Sequence, residues 1–557
     1  EMFDASIGKS TVLMPFGGKY QLTETEGSVQ KLPVFGFTNT CSIMTHGYHP
    51  ELSLYSPYLG ASYSVVEALA RVTAMGGNYE TCRLTNQEYF ERLHTDPEKW
   101  GKPMQALLGL IEAEMAFETP AIGGKDSMSG TFNDISVPPT LITFAVTTEK
   151  TEHIISPEFK EAGHHIYYIK HTPNDNQTPN YEELKANFAK VRELIRKGVI
   201  CSAATVKFGG LAEALCKMSF GNKIGVEVKT SEHIFDLSIG SIVVESSEAI
   251  YDEAFVLLGK TTDADTICIN EECITIDKAI TAWCERYNTM YPMTVDQEKG
   301  VIETPEYTAN ERVHAKKTID KPKVIIPVFP GQNCEYDTKQ QFERAGAEAE
   351  IYVFNNLNVE SIERSLKELS EKIASAQILM VVGGFSSGDE PDGSGKFIAA
   401  LFRNEKLMTA MEKLLHERDG LALGICNGFQ ALIKLGLVPY GKFKPLTEKA
   451  PTLTFNTIGR HISRYVSTKV ISAKSPWLSL CSTDEIYSIP VSHGEGRFIA
   501  SEEQIREWLQ NGQVATIYTD EKGNPTYDSR YNPNGSFFSV EGITSPDGRV
   551  LGKMGHT

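Results

Sequence analysis

Four short apolar runs constrain the fold of the second half of this chain. They are residues 324–328, 349–354, 377–382 and 421–425, and helical stretches separate them. Strands that alternate with helices in this way are typical of βαβ units, which build an open parallel sheet. Ligands bind to such sheets at the carboxyl ends of the strands. We therefore predict a parallel sheet here, with functional residues where the runs end.

Cys426 directly follows the last of these runs. It lies in the segment Leu421-Ala-Leu-Gly-Ile-Cys426-Asn-Gly-Phe-Gln430, the pattern of a strand that turns at small residues and continues as a helix. A thiol at the first turn of a helix lies near unpaired N–H groups, which favour the thiolate. The pattern predicts that Cys426 is a nucleophile and that the Asn427 amide points towards an oxyanion. A buried structural cysteine is the alternative interpretation.

Two other strand ends carry groups that a cysteine nucleophile needs. The run that ends at residue 382 is followed by Gly383, Gly384 and Phe385, whose backbone is expected to complete an oxyanion hole with the Phe385 amide as donor. The last apolar segment of the chain leads to His556, a candidate general base.

Several motifs together resemble a known family. Residues 383–389, 424–430 and 554–556 are similar to the class I (triad) glutamine amidotransferases. Residues 329–334 and 490–498 narrow the resemblance to the glutaminase of the phosphoribosylformylglycinamidine synthases, enzymes of de novo purine synthesis. Residues 3–8, 14–20 and 122–130 resemble the second of two tandem synthetase halves in the large single-chain form. The resemblance spans the chain and about the C-terminal half of the family's full-length protein.

This resemblance implies a mixed α/β and α+β architecture. Residues 1–150 and 151–300 are expected to form the two subdomains of an aminoimidazole-ribonucleotide-synthetase-like α+β region. A polar linker is expected over 301–322. Residues 323–557 are expected to form a flavodoxin-like open parallel sheet, the class I glutamine amidotransferase domain.

The resemblance also implies roles for single residues. Cys426 would attack the glutamine carboxamide, Asn427 and the Gly384–Phe385 turn would bind the oxyanion, and His556 would transfer protons. Gln430 is expected to position the substrate. His493 competes with His556 as the base, but in the family its loop shapes the substrate pocket.

Two observations leave alternatives open in the glutaminase. Cys334 follows the turn Pro330-Gly-Gln-Asn333 near the start of a helix and is a rival nucleophile, although no glycine follows it. The family pattern places a glutamate two residues after the histidine, which corresponds to position 558. We therefore expect slow glutamine turnover from the 557 residues, because an unoriented imidazole adopts the wrong tautomer.

The synthetase half departs from the family pattern. Lys125, Asp126 and Ser127 are expected to contact a nucleotide phosphate, and a polar turn is the alternative. Asp4 and Glu67 match two expected magnesium ligands, and carboxylates suit that hard cation. Arg71 and Phe208 stand where the family has an asparagine and an aspartate. We therefore expect Mg²⁺ to bind weakly at this second-copy site or not at all.

The expected activity is that of an ATP-dependent carbon–nitrogen ligase with glutamine as nitrogen donor. Ammonia from glutamine would pass to ATP-activated formylglycinamide ribonucleotide, and the partner would be the missing N-terminal synthetase half. One alternative is a non-catalytic, nucleotide-binding assembly module. Another is a stand-alone cysteine hydrolase of the same sheet type, which the purine-specific motifs disfavour.

Composition excludes some other classes of protein. The net charge of −18 argues against general nucleic-acid binding, which needs a basic surface. No apolar run approaches the roughly 20 residues of a membrane span. The ten cysteines are dispersed, and the nearest pair, Cys268 and Cys273, lacks zinc-type partners. We expect a reduced cytoplasmic protein.

Overall fold

The computed structural model describes residues 10–34, 36–295, 300, 302–304, 307, 314–315, 318–388 and 395–556. Two compact units divide them, residues 10–289 and residues 290–556. Half of the expected linker, and the predicted ligand Asp4, lie outside the described residues. The boundary at residue 150 stays a prediction.

The unit 10–289 contains 17 strands and six α-helices. The strands are β1 (Thr11–Leu13), β2 (Phe16–Gly17), β3 (Thr23–Glu24), β4 (Ser28–Lys31), β5 (Thr40–Gly47), β6 (Arg83–Tyr89), β7 (Ala121–Lys125), β8 (Thr131–Phe132), β9 (Ile135–Ser136), β10 (Thr140–Lys150), β11 (His165–Ile169), β12 (Ile200–Thr205), β13 (Gly225–Val228), β14 (Ile242–Ser246), β15 (Val256–Thr262), β16 (Thr266–Ile269) and β17 (Glu272–Thr275). The helices are α1 (Pro50–Tyr55), α2 (Pro57–Ala74), α3 (Pro97–Phe117), α4 (Tyr181–Arg196), α5 (Gly210–Phe220) and α6 (Ile276–Asn288).

These strands form two large sheets. The first has the order β1-β4-β5-β10-β6-β7 and the second β12-β14-β11-β15-β13-β16-β17. Both are antiparallel apart from one parallel pair each, β6–β7 and β13–β16. Helix α2 is buried along most of its length. The expected α+β class of this half is therefore confirmed.

The other unit contains the predicted parallel strands. Its strands are β18 (Lys323–Val328), β19 (Glu348–Val353), β20 (Ile378–Val381), β21 (Leu421–Ile425), β22 (Thr452–Thr454), β23 (Ile462–Val470), β24 (Ile486–His493), β25 (Arg497–Ile499), β26 (Val514–Thr519), β27 (Val540–Thr544) and β28 (Val550–Lys553). Its helices are α7 (Glu335–Arg344), α8 (Val359–Ser375), α9 (Lys396–Phe402), α10 (Glu405–Glu412), α11 (Asn427–Leu435), α12 (Leu437–Tyr440) and α13 (Glu502–Gln510).

Nine of these strands form one mixed sheet in the order β19-β18-β20-β21-β28-β27-β26-β23-β24. The first five are mutually parallel, and the last four continue the sheet in antiparallel pairs. Apolar side chains of α8, α10 and α11 pack with those of the sheet in one buried cluster. The predicted open parallel sheet is confirmed, and the antiparallel extension adds to it.

The structure differs from expectation at one pair of cysteines. Cys268 and Cys273 are joined by a disulfide, whereas the sequence analysis expects reduced thiols throughout. The two residues face each other directly across the β16–β17 hairpin, with their Cα atoms 4.2 Å apart. The other eight cysteines form no disulfide.

Among the described helices, none combines the length and the apolar character needed to cross a lipid bilayer.

Candidate functional site

Cys426 lies between β21 and α11, as the sequence predicts. Its backbone has φ 51° and ψ −107°, a positive φ that side-chain-bearing residues rarely adopt and that is common at functional sites. The Cys426 N–H donates to the carbonyl of Lys553 on β28 at 2.9 Å. The Cys426 carbonyl accepts from the N–H of Gln430 at 3.0 Å. These two bonds hold the thiol at the N-terminus of α11.

Glycine is required where α11 meets the sheet. A β-carbon on Gly428 would lie only 1.9 Å from the carbonyl oxygen of Val381 at the end of β20. The first turn of α11 therefore packs directly against the strand end that precedes the Gly383–Gly384 pair. This contact brings the turn at Cys426 and the Gly383–Gly384 turn together.

Three functional side chains surround Gly383. The position that a β-carbon on Gly383 would take lies 3.4 Å from Cβ of Cys426, 3.5 Å from Nε2 of His556 and 3.3 Å from Sγ of Cys334. The structure thus places the predicted base beside the predicted nucleophile. It also places the rival thiol of Cys334 at the same site.

A cavity of about 450 Å³ opens beside this cluster. Cys334, Gly383 and His556 line it together with mostly apolar side chains, and Cys426 does not. Cys426 is only 6% exposed. The choice between the two thiols therefore needs a chemical test.

His493 is fully enclosed near the same cluster. It is 3% exposed, and neither ring nitrogen has a hydrogen-bond partner among the described residues. Burial, with smaller effects of His461 and His556, lowers the pKa of His493 to about 3. The ring is therefore neutral at physiological pH and is a weaker base than an ordinary histidine.

Gln430 connects α11 to the loop that follows His493. Its Nε2 donates to the carbonyl of Glu495 at 2.5 Å, and its Oε1 accepts from Nδ2 of Asn427 at 3.0 Å. The Oδ1 of Asn427 is buried without a hydrogen-bond partner among the described residues. The Gln430 side chain therefore bonds to other protein groups, whereas Oδ1 of Asn427 is an acceptor that a ligand could use.

The structure gives the predicted oxyanion donor Phe385 a different acceptor. The Phe385 N–H donates to the carbonyl of Gly331 at 3.0 Å, because the loop after β18 lies against the Gly383–Gly384 turn. Gly384 has φ 111°, which only glycine adopts without strain. In this conformation the Phe385 amide is not available to an oxyanion. The amide of Asn427 is the first of α11 and has no acceptor within the helix.

Comparison with known proteins identifies this unit. Residues 321–557 match the profile of the CobB/CobQ-like glutamine amidotransferase domain. The PurQ subunit of phosphoribosylformylglycinamidine synthase from Methanococcus maripaludis strain C7 is 34% identical over 245 residues, which cover 42% of this chain and 81% of the relative. The PurQ subunit from Pyrococcus horikoshii is 32% identical over 235 residues, 42% of this chain and 87% of the relative.

The chain belongs to the PurQ family of glutamine amidotransferases.

Solved structures also show likenesses to the chain. PurLQS from Thermotoga maritima has 25% identity and a TM-score of 0.31, over 42% of this chain and 87% of that one. PurL from T. maritima complexed with FGAR has 13% identity and a TM-score of 0.37, over 49% of this chain and 50% of that one. The family assignment rests on the sequence relatives.

In the PurQ-like unit, the sequence analysis missed the carboxylate next to the strand end that carries His556. Glu541 on β27 is 1% exposed, and its Oε1 accepts from the N–H groups of Met554 at 3.1 Å and Gly555 at 2.6 Å. Thr516 donates to its other oxygen at 2.5 Å. In the sequence, Glu541 is the one charged residue of segment 540–544, and this pattern could have indicated a buried carboxylate.

The predicted phosphate-binding residues do not form a cradle in the unit 10–289. Residues 121–125 form the edge strand β7, which pairs in parallel with β6. The N–H of Ser127 donates to the carbonyl of Glu88 at 3.1 Å, and Lys125 Nζ donates to the carbonyl of Asp126 at 3.1 Å. Lys125 and Asp126 are exposed. Phosphate contact by residues 125–127 stays a prediction.

Glu67, the described member of the predicted magnesium pair, is bound by protein groups. Its Oε1 lies 3.2 Å from a guanidinium nitrogen of Arg71, and its Oε2 accepts from the N–H of Tyr48 at 3.1 Å. The residues present therefore do not fit a divalent cation.

Glu88 makes the stability of the unit 10–289 dependent on pH. It is 6% exposed, and Oε1 has no hydrogen-bond partner among the described residues. Burial, followed by the charge of Asp126, raises the pKa of Glu88 to about 7. The folded state therefore retains a proton that the unfolded chain loses at lower pH. This stabilisation is complete below the unfolded pKa and is lost as the pH rises through about 7.

We expect Glu88→Gln to raise the unfolding temperature at pH 8 and to change it little at pH 5, where wild-type Glu88 is already neutral. Thermal unfolding at both pH values measures the difference. Glu91→Gln is the control, because hydrogen bonds from Lys102 and Lys99 lower the pKa of Glu91 and its replacement brings no gain at pH 8. An equal effect of Glu88→Gln at the two pH values would contradict the assignment.

Proposed function

We propose that the PurQ-like unit hydrolyses glutamine with Cys426 as the nucleophile. The observation that carries the proposal is the positive-φ turn at Cys426, which holds its side chain beside His556 around Gly383. The unit's relatives are PurQ subunits of phosphoribosylformylglycinamidine synthase.

In the proposed reaction, the Cys426 thiolate attacks the side-chain carbonyl carbon of glutamine. The tetrahedral oxyanion accepts a hydrogen bond from the Asn427 amide, and one such donor contributes about 3–4 kcal/mol in the transition state. His556 gives a proton to the departing nitrogen, ammonia leaves and a γ-glutamyl thioester remains. His556 then takes a proton from water, whose oxygen attacks the thioester. Glutamate leaves and the thiolate is restored.

The Phe385 amide can join the oxyanion hole only after its bond to the Gly331 carbonyl breaks. Gly384 makes such a turn adaptable, because glycine tolerates several backbone conformations. We therefore assign Asn427 as the first donor and Phe385 as a donor that requires a local rearrangement.

His493 is proposed to bind the substrate and not to act as the base. A neutral imidazole offers one donor and one acceptor, and a buried polar group without a partner costs about 1–3 kcal/mol. Together with Oδ1 of Asn427, these unused atoms match the polar ends of a glutamine molecule. His556 remains the proton-transfer group, because burial lowers the pKa of His493 to about 3.

We place this glutaminase in the synthesis of formylglycinamidine ribonucleotide, a step of purine biosynthesis. The liberated ammonia would replace the oxygen of an ATP-activated formamide, with formylglycinamide ribonucleotide as acceptor and a synthetase half as partner. The relatives that carry this name and the motifs at residues 14–20 and 122–130 support the proposal.

A second candidate role applies to residues 10–289 alone. These residues are proposed to act as a non-catalytic assembly module, which the ion pair of Glu67 and the position of Lys125 on an edge strand favour. Assembly with a synthetase half would then be their contribution.

Cys426→Ser is expected to abolish covalent labelling by a diazo-ketone analogue of glutamine, because a serine hydroxyl does not ionise at this helix N-terminus. Cys334→Ser, whose thiol lies at the same site, is the matched control and is expected to retain labelling. Intact-protein mass spectrometry measures the adduct. Labelling that disappears in Cys334→Ser and persists in Cys426→Ser would transfer the nucleophile to Cys334.

His556→Asn is expected to slow glutamate release by about two to four powers of ten, the usual contribution of a general acid–base group. His493→Asn is expected mainly to raise the glutamine concentration required for half-maximal rate, since the neutral His493 ring binds substrate. Steady-state kinetics of both variants separates the two effects. If the rate constant falls only in His493→Asn, the two roles are reversed.

A further inference from the structure

Glu26 is a buried acid at the centre of an ion-pair network in the unit 10–289. It is 3% exposed and accepts from the N–H of Thr205 at 3.0 Å and from its hydroxyl at 2.8 Å. Lys207 Nζ lies 3.0 Å from its Oε2. Burial alone would raise the pKa of Glu26, but the charges of Lys207 and Arg71 hold it below its ordinary value. The carboxylate is therefore ionised inside the protein.

Arg71 connects this acid to Glu67. Its Nε lies 3.7 Å from Glu26 Oε2, and NH2 lies 3.2 Å from Glu67 Oε1 one helical turn away on α2. The Arg71 side chain is only 12% exposed. One guanidinium therefore lies between two carboxylates that come from separate segments, which is the position a bridging metal ion would take.

Each carboxylate of this network already has a cationic partner, and the adjoining acids Glu24 and Glu213 are both paired with Lys217. Arg71 and Lys207 balance Glu26 and Glu67, and burial with these two cations lowers the pKa of His46, which keeps it neutral. A divalent ion at this place would meet two fixed cations at short range, and like charges in a buried site repel strongly.

The surrounding space also excludes a nucleotide. The cavity lined by Glu26, Thr205 and Lys207 holds about 20 Å³. Pockets for small ligands measure roughly 300–1,000 Å³. Phe208 stands where the family has an aspartate, which would supply an oxygen ligand. Its side chain is 65% exposed, and the centroid of its ring lies 5.8 Å from that of the His49 ring.

The described residues contain a different cluster of potential metal ligands, and it does not include Glu67. His164, Cys201 and Glu245 offer ligand atoms within 4.8 Å of one another. The Glu245 carboxylate already accepts bonds from His164, from Ser202 and from the N–H groups of Lys160 and Glu161. Its lone pairs are occupied, so this cluster serves as a hydrogen-bond network.

We propose that Arg71, assisted by Lys207, replaces a divalent cation between Glu26 and Glu67, so that residues 10–289 fold without Mg²⁺ and without Mg²⁺-dependent nucleotide. The internal cation is part of the chain and does not dissociate. The proposal does not depend on the glutaminase, because its readouts do not involve Cys426.

The test is thermal unfolding and calorimetric titration of the full chain with Mg²⁺, alone and with ADP. The wild type is expected to show no shift and no binding heat. Arg71→Asn leaves two carboxylates without their shared cation, so it is expected to unfold several degrees lower and to regain part of this loss in Mg²⁺. Arg71→Lys keeps a cation and is expected to stay unresponsive. Arg92→Asn, at an exposed position, controls for the loss of an arginine.

Phe208→Asp keeps the test decisive if Arg71→Asn does not fold, because the exposed ring can be replaced without opening the core. With Arg71 present, this variant is expected to bind no Mg²⁺, and binding would overturn the proposal. A wild-type response to Mg²⁺ would also overturn it. If Arg71→Asn folds, is less stable and still ignores Mg²⁺, Arg71 is an ordinary ion-pair partner and the proposal fails.

Discussion

The close packing of α11 on the end of β20 is the contact on which the glutaminase site depends. Only a glycine at position 428 allows the helix to approach the Val381 carbonyl, because a β-carbon there would lie 1.9 Å from that oxygen. At the start of this helix Cys426 has a positive φ, and its β-carbon lies beside Gly383. Strain of this kind costs about 1–3 kcal/mol and persists because the surrounding bonds fix it. Those bonds come from β28 and from the first turn of α11.

Electrostatics around the site is controlled mainly by burial. His493 is kept neutral inside the protein, and burial followed by Glu541 raises the pKa of the Tyr518 hydroxyl well above its ordinary value. Glu541 itself binds the backbone that leads to His556. This leaves Cys426 and His556 as the pair that we propose for proton transfer and nucleophilic attack.

Much of the fold and the site could be predicted from sequence, because they depend on local patterns. The four parallel strands, the last strand and the turn at Cys426 follow from apolar runs that end in small residues. The hydrogen bond that occupies the Phe385 amide could not be predicted, since its acceptor, Gly331, is over 50 positions away along the chain and the bond depends on loop packing. The same limit applies to Glu541, whose bonds to residues 554 and 555 form only when β27 pairs with β28.

In the synthetase-like half, the sequence shows which residues depart from the family pattern but not which contacts they make. Arg71 and Phe208 are visible in the sequence as departures from the family pattern, and their charge and polarity alone predict poor metal binding. The ion-pair network that we propose in place of the metal is not visible there, because Arg71 and Lys207 meet at Glu26 from distant segments. The strand at residues 121–125 could not be predicted from its own residues either, because it forms by pairing with β6.

The most direct measurement is to find the cysteine that carries the acyl intermediate. The protein would be mixed with radiolabelled glutamine, quenched in acid and digested, and the labelled peptide would be sequenced by mass spectrometry. Our account predicts a γ-glutamyl thioester on the peptide that contains Cys426, with no label on Cys334. A thioester on Cys334, or glutamine hydrolysis with no acyl-enzyme on either cysteine, would contradict it.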